Sequence, residues 1–207
     1  MGIYRPDCSI TTNTPAETAI LAGFNEMLSR GGSQTTIVPE IQRVKFAKNI
    51  WNVAFAGFAT LVGYRLPAIF RPPPKDGESY EPYVCETTRS YVEEYTITNI
   101  RAILEEVLSV GMCASLPRPF VFHPFSARAM GFPDSSSGIP SSVVEDTLKY
   151  TTGLHTVPTS THTPSMLLDA QRGRPIEVEV IVGSVVRLAR EKGVQIPVSS
   201  SYNCPFE

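Results

Sequence analysis

The chain lacks most of the features that would place it in a membrane, in an oxidising compartment or on a nucleic acid. No apolar run reaches the roughly 18 residues that span a bilayer, so no membrane association is expected. The first 20 residues carry Asp7 and Glu17 and have no basic-then-apolar leader pattern, which points to the cytoplasm. Only four cysteines occur (Cys8, Cys85, Cys113, Cys204), widely scattered and without Cys-x-x-Cys spacing. They read as reduced thiols rather than as disulfide or metal partners. The three histidines, His123, His155 and His162, are separated by 32 and 7 residues and make a poor ligand set, so no metal is expected. Net charge is -2 with no acidic or basic block, which argues against a nucleic-acid partner.

What is present is a chain of 207 residues, 42% hydrophobic, enough for one ordinary core or two small ones. Residues 3–13 are β-prone and broken by Pro6, and read as an edge strand or a frayed start. Thr14-Pro15-Ala16-Glu17 then combines a capping box with proline at the first helical position. A helix is predicted to Arg30, with Ile20, Phe24, Met27 and Leu28 as its buried stripe and Gly31-Gly32 as its stop. Residues 35–38 form a short β-like link.

The strongest helical segment runs from about Glu40 to Val62, with Ala47, Ile50, Trp51, Ala54, Phe58 and Leu61 on its apolar face. Lys48, Asn52 and Ala56 step by four along a stripe beside that face. A lysine and an amide one turn apart, next to Trp51, could address a carbonyl or a carboxylate. Equally, Lys48 could snorkel to solvent and Asn52 cap a loop. Arg71 to Gly77, with three prolines, is a loop. Residues 83–110 resume as helix, with Ile97, Ile100, Ile103, Leu104, Val107 and Leu108 as core and Glu105 and Glu106 toward the flank. Residues 117–140 form a long irregular excursion, functional or mobile, before a short helix over Ser142–Tyr150 and a polar linker over Thr151–Thr163.

Thr163-Pro164 repeats the cap-then-proline start, which makes Ser165 to Gln171 a short helix with Ser165 near its N-terminus. A hydroxyl there suits a polar or anionic ligand group, or serves simply as a cap. Ile176 to Val180 alternates as a strand would, yet Val178, Ile181, Val185 and Leu188 also fit a helix ending at Gly193. The pattern leaves both readings open.

These residues carry a resemblance. Lys45-Phe-Ala-Lys48-Asn-Ile-Trp-Asn52 resembles the helix that opens the C-terminal domain of ketopantoate reductases (2-dehydropantoate 2-reductases). Ser165-Met-Leu-Leu-Asp169, with Glu177 twelve residues after the serine, is similar to that family's Ser-Met-Leu-Gln-Asp stretch and its following glutamate. Residues 185–197 resemble its closing helix and turn. The likeness covers most of residues 3–200 and is weakest through 70–160.

The resemblance implies an all-α, ketopantoate-reductase C-terminal-domain-like bundle with a short β remnant at its N-terminus, and it resolves residues 176–192 as helix. Residues 1–13 would be the last strand and linker of a nucleotide-binding domain, and residues 14–207 the helical substrate-binding and dimerisation domain. It also implies roles. Lys48 would be the general acid, with Asn52, Ser165 and Glu177 placing the carboxylate and hydroxyl ends of a small 2-oxo or 2-hydroxy acid. NADPH would supply hydride.

The sequence departs from the family in two ways. Ala56 replaces a second substrate-binding asparagine and would open the pocket; Val182 replaces another common asparagine. No Gly-x-Gly-x-x-Gly occurs anywhere, so this chain alone is expected to bind no cofactor. The leading reading is a substrate domain that supports ketone reduction only when a separate nucleotide-binding chain or domain is supplied, and that forms a homodimer through its long helices. The alternatives are a cofactor-free binding module, isomerase or cyclase reusing the pocket, and a truncated, inactive product.

Overall fold

The structure is a computed structural model and describes residues 1–111 and 130–201. Its regular structure is mostly helical, with one two-stranded sheet at the N-terminus among the described residues. His123, Cys113, Cys204, most of the 117–140 excursion and the 202–207 end lie outside the described residues. No described helix is long and apolar enough to cross a membrane.

Strand β1 (Gly2–Ile3) pairs in parallel with β2 (Val38–Glu40), and helix α1 (Pro15–Arg30) is the crossover between them. Of residues 3–13, read as an edge strand or a frayed start, only Ile3 is in a strand; Pro6 follows, and Ile10 N donates to Asp7 O in a turn. The α1 cap forms as read: Glu17 N donates to Thr14 Oγ1 and Thr14 N to Glu17 Oε2. Arg5 joins it, 2.8 Å from Glu17 Oε2, and that hydrogen bond holds the Glu17 carboxyl down at about 2. The stripe of α1 is not buried, however. Ile20, Phe24, Met27 and Leu28 are all exposed, and Leu21 is the helix's one buried residue.

The segment from Glu40 is one continuous rod made of α2 (Ile41–Trp51), a π-helical turn (Asn52–Ala56) and α3 (Gly57–Val62). Glu40 caps it by accepting from the backbone N–H of Gln42 and Arg43. The π-turn rotates the face, so Val53, Ala54, Phe55 and Ala56 are buried in succession while Leu61 is 64% exposed. After α4 (Pro67–Phe70) and the proline loop, a second rod follows. It comprises a 3₁₀ turn (Glu86–Thr88), α5 (Arg89–Tyr91), a π-turn (Val92–Ile97) and α6 (Thr98–Gly111).

Helix α6 is the axis of the bundle. It packs on α2, the Asn52–Ala56 turn, α7 (Val143–Thr156), α9 (Ser184–Lys192) and α10 (Pro197–Ser201). Ile100, Ile103, Leu104 and Val107 recur at helical spacing and are fully buried. Glu106 is no mere flank residue, since its carboxylate accepts from Val198 N at 2.9 Å and Ser199 N at 2.7 Å. Gly111, at the end of α6, meets the buried ring of Phe46, and a Cβ built there would lie 2.5 Å from that ring. Phe46 in turn packs on Phe132 at 5.8 Å and has little room to move. Gly111→Ala is accordingly expected to cost about 1–2 kcal/mol by overpacking, read as a lower urea midpoint at unchanged slope.

Helix α7 runs to Thr156, so the first half of the expected 151–163 linker is helical. Helix α8 (Ser165–Gln171) forms as read, but its N-cap is Pro164 with no side-chain bond, so Thr163 does not cap it. The final rod, a π-turn (Glu179–Gly183) running into α9, resolves the open case over 176–192 as helix. Val182, Val185, Val186 and Ala189 are buried at helical spacing, and Val180, which a strand would bury, is 68% exposed.

Candidate functional site

Lys48 lies in the last turn of α2, exposed, and Asn52 opens the π-turn that follows, half-buried. Ser165 is the exposed first residue of α8, and Glu177 is exposed just before the final rod. Helix α8 packs on α3 and on the Asn52–Ala56 turn, and the Glu179–Gly183 turn packs on that same segment. The two irregular turns thus meet, each beside one of the charged candidates. Asn49, adjacent to Lys48, fastens the arrangement by donating from Nδ2 to Ile181 O at 3.3 Å. Its role was not readable from the sequence, because the partner is a backbone carbonyl 132 residues away.

Among the described residues, the side chains of Lys48, Asn52, Ser165 and Glu177 make no hydrogen bond or ion pair with each other or with anything else. Four polar groups on converging elements are left uncommitted. None of the four lines the 430 Å³ cleft, which is formed by Gly63, Tyr64, Arg65, Glu81, Pro82, Thr163 and Gln171. Ala56, expected to open a pocket, is buried.

Behind the Lys48–Asn52 turn sits a closed ring of aromatic contacts that the sequence reading missed. Trp51, Phe55, Phe70, His155 and His162 touch in succession, with centroid separations from 5.7 to 6.4 Å. The Trp51 Nε1–H donates to Thr151 Oγ1 at 3.0 Å, locking the indole to α7. The spacing of Val144, Leu148, Thr151 and His155 was the available signal, for all four are buried on one face of α7. Arg71 had no such signal. It is buried at the start of the proline loop, donates to the carbonyls of Glu81, Pro82 and Ser160, and lies over the Tyr80 ring.

Burial, and after it the electrostatic effects of His162 and of the Arg71 guanidinium, pull the His155 imidazole down to about 4. Its folded value lies below the unfolded one near 6.5, so the unfolded chain binds more protons between them. This contribution is complete above the unfolded value and is lost as pH falls toward 4. Unfolding at pH 4.5 against pH 7 should therefore show a loss of about 2 kcal/mol from this group, after allowance for screening. His155→Phe should flatten that dependence.

The β1–α1 connection is where a dinucleotide-binding βαβ unit would cradle a pyrophosphate. Here residues 4–14 contain no glycine, and Arg5 is turned onto Glu17, whose carboxylate occupies the helix start. A second anion is not accommodated there, so this connection does not fit NADPH.

The sequence profile of the family described as ketopantoate reductase PanE/ApbA C terminal matches residues 83–201. No curated protein matches the chain by sequence. Among solved structures, the 2-dehydropantoate 2-reductase of Methylococcus capsulatus aligns at 23% identity and TM-score 0.55, over 93% of this chain and 45% of that one. The Geobacter metallireducens enzyme of the same name aligns at 16% identity and TM-score 0.59, over 93% and 48%. A dimeric ketopantoate reductase from Staphylococcus aureus aligns at 20% and 0.55, over 89% and 48%. These likenesses show a shared fold, and the chain spans about half the length of each relative. With the profile covering more than half of its residues, the chain belongs to the ketopantoate reductase C-terminal domain family.

Proposed function

We propose that the chain is the substrate half of a ketopantoate-reductase-like enzyme, and that Lys48, Asn52, Ser165 and Glu177 bind a small 2-oxo or 2-hydroxy acid. What supports this reading is the packing of α8 and of the Glu179–Gly183 turn on the Asn52–Ala56 turn, which follows Lys48 in the same rod, with all four side chains uncommitted. The relatives' names supply the substrate class, a 2-dehydropantoate-like 2-oxo acid.

The assignment of roles follows from charge. A lysine ammonium, protonated at neutral pH, suits the ketone oxygen, where it offsets the developing alkoxide and delivers the proton. Glu177, a carboxylate, would repel the substrate's own carboxylate and therefore accepts a hydrogen bond from its hydroxyl end. The Asn52 amide and the Ser165 hydroxyl are left to donate to the substrate carboxylate. Hydride comes from a group held outside these residues. The dimeric Staphylococcus aureus relative supports a homodimer here as well.

The test is an NADPH oxidation assay with 2-dehydropantoate. The chain alone should show no turnover, and turnover should appear when a nucleotide-binding domain is supplied. Binding of the 2-oxo acid to the chain without any such turnover would favour a cofactor-free binding role. Binding of NADPH by the chain alone would contradict the reading.

A further inference from the structure

Two guanidiniums meet at one backbone carbonyl just beyond the end of α3. Arg65 donates from Nη2 to Glu81 O at 3.0 Å, and Arg71 donates from Nη1 to the same oxygen at 3.5 Å and to Pro82 O at 3.4 Å. Among the described residues, neither guanidinium has a carboxylate within ion-pair distance. Like charges held this close, one of them buried, call for an anion. Arg71 shows the same deficit inside the fold, for it is 1% exposed and its Nε has no acceptor. Glu81 and Pro82, whose carbonyls the two arginines share, form one wall of the 430 Å³ cleft, with Arg65 beside them. Thr163, just before α8, and Gln171, its last residue, line the same cleft, so it runs along the helix that Ser165 opens. Its volume falls within the roughly 300–1,000 Å³ of small-molecule sites.

We propose that this cleft is a carboxylate subsite in which Arg65 pairs with the far carboxylate of a 2-oxo dicarboxylic acid whose keto end lies at Lys48 and Ser165. The placement of the keto end rests on the proposed function; Arg65 as the cation of the cleft does not. A guanidinium's planar fork binds a carboxylate through two parallel hydrogen bonds. Arg65 uses one N–H on Glu81 O and makes no other bond among the described residues, so an edge of its fork stays free. Glu177 cannot take the far carboxylate, because like charges repel. Thr163 and Ser165 are two residues apart, at most about 7 Å along the chain, a span comparable to the length of a five-carbon diacid. The Glu81 side chain, exposed on the same wall, opposes the ligand's charge and limits its affinity.

The test is calorimetric titration of the full chain with two acids that share a keto end and a chain length, 2-oxopentanedioate and 2-oxopentanoate. The diacid should bind at least about tenfold more tightly, and Arg65→Gln should remove that advantage while leaving the monoacid unchanged. Arg65→Lys should restore part of it, since the charge is kept and the fork is lost. Glu81→Gln, which breaks no bond in the fold, should tighten the diacid severalfold and leave the monoacid alone. A merely structural role for Arg65 would weaken both acids alike. Equal affinity of the wild type for the two acids, or a preference that survives Arg65→Gln, would overturn the inference. Diacid binding that needs Arg65 but is indifferent to Lys48→Ala would keep the cation of the cleft and sink the substrate reading. Monoacid binding weakened by Lys48→Ala, with no gain for the diacid, would leave that reading standing and remove the subsite.

Discussion

Leu104→Ala should destabilise the chain by about 3–4 kcal/mol, read as a melting temperature lower by roughly 10 °C. Leu104 is fully buried in α6, the helix on which α2, α7, α9 and α10 all pack. Removing its branched carbons loses their transfer free energy and leaves a cavity among elements held from several sides, so the site cannot collapse to refill it. Leu61→Ala is the control. The sequence reading placed Leu61 on the same kind of apolar face, but it is 64% exposed and its truncation should cost less than about 0.5 kcal/mol. Equal losses at the two positions would mean that the π-turn does not rotate the rod as described.

Lys48→Ala, in the chain completed by a nucleotide-binding domain, should lower kcat by about a hundredfold or more, within the range of lost general-acid catalysis. The Lys48 side chain is exposed and makes no hydrogen bond or ion pair, so the variant should melt with the wild type. Lys48→Arg should keep part of the charge stabilisation but transfer a proton poorly, and so fall between the two. A drop confined to KM would assign Lys48 to substrate binding alone. The measurement is a steady-state comparison of the three proteins at fixed NADPH.

The sequence was informative where structure is local. Thr14-Pro15-Ala16-Glu17 marks the start of α1 because a capping box and an N1 proline act within one turn. Its exposed stripe was misread for a physical reason: periodicity shows which face needs burial, not whether the chain supplies a surface to bury it on. The Glu40–Val62 rod was legible as helix, whereas its π-turn was not. One extra residue in a turn shifts the buried set from Leu61 to Val53 and Phe55 without any compositional mark. The alternation over 176–180 is equally compatible with strand and helix, and only packing on the Asn52–Ala56 turn decides between them. The remaining devices join distant segments. Neither the Asn49 bond to Ile181 O, nor the Glu106 cap on Val198 and Ser199, nor buried Arg71 leaves a local signature. The four candidate residues were found through family spacing, and the fold's contribution is to pack α8 and the Glu179–Gly183 turn on the Asn52–Ala56 turn.

The most direct test of that pocket is calorimetric titration of the full chain with 2-dehydropantoate, repeated for Lys48→Ala, Asn52→Ala, Ser165→Ala and Glu177→Gln. One saturable site per chain is expected, weakened about tenfold by loss of either charged group and severalfold by loss of either neutral one, with melting temperatures unchanged. No saturable heat for the wild type, or an affinity that none of the four substitutions moves, would contradict the assignment of this face as the substrate site.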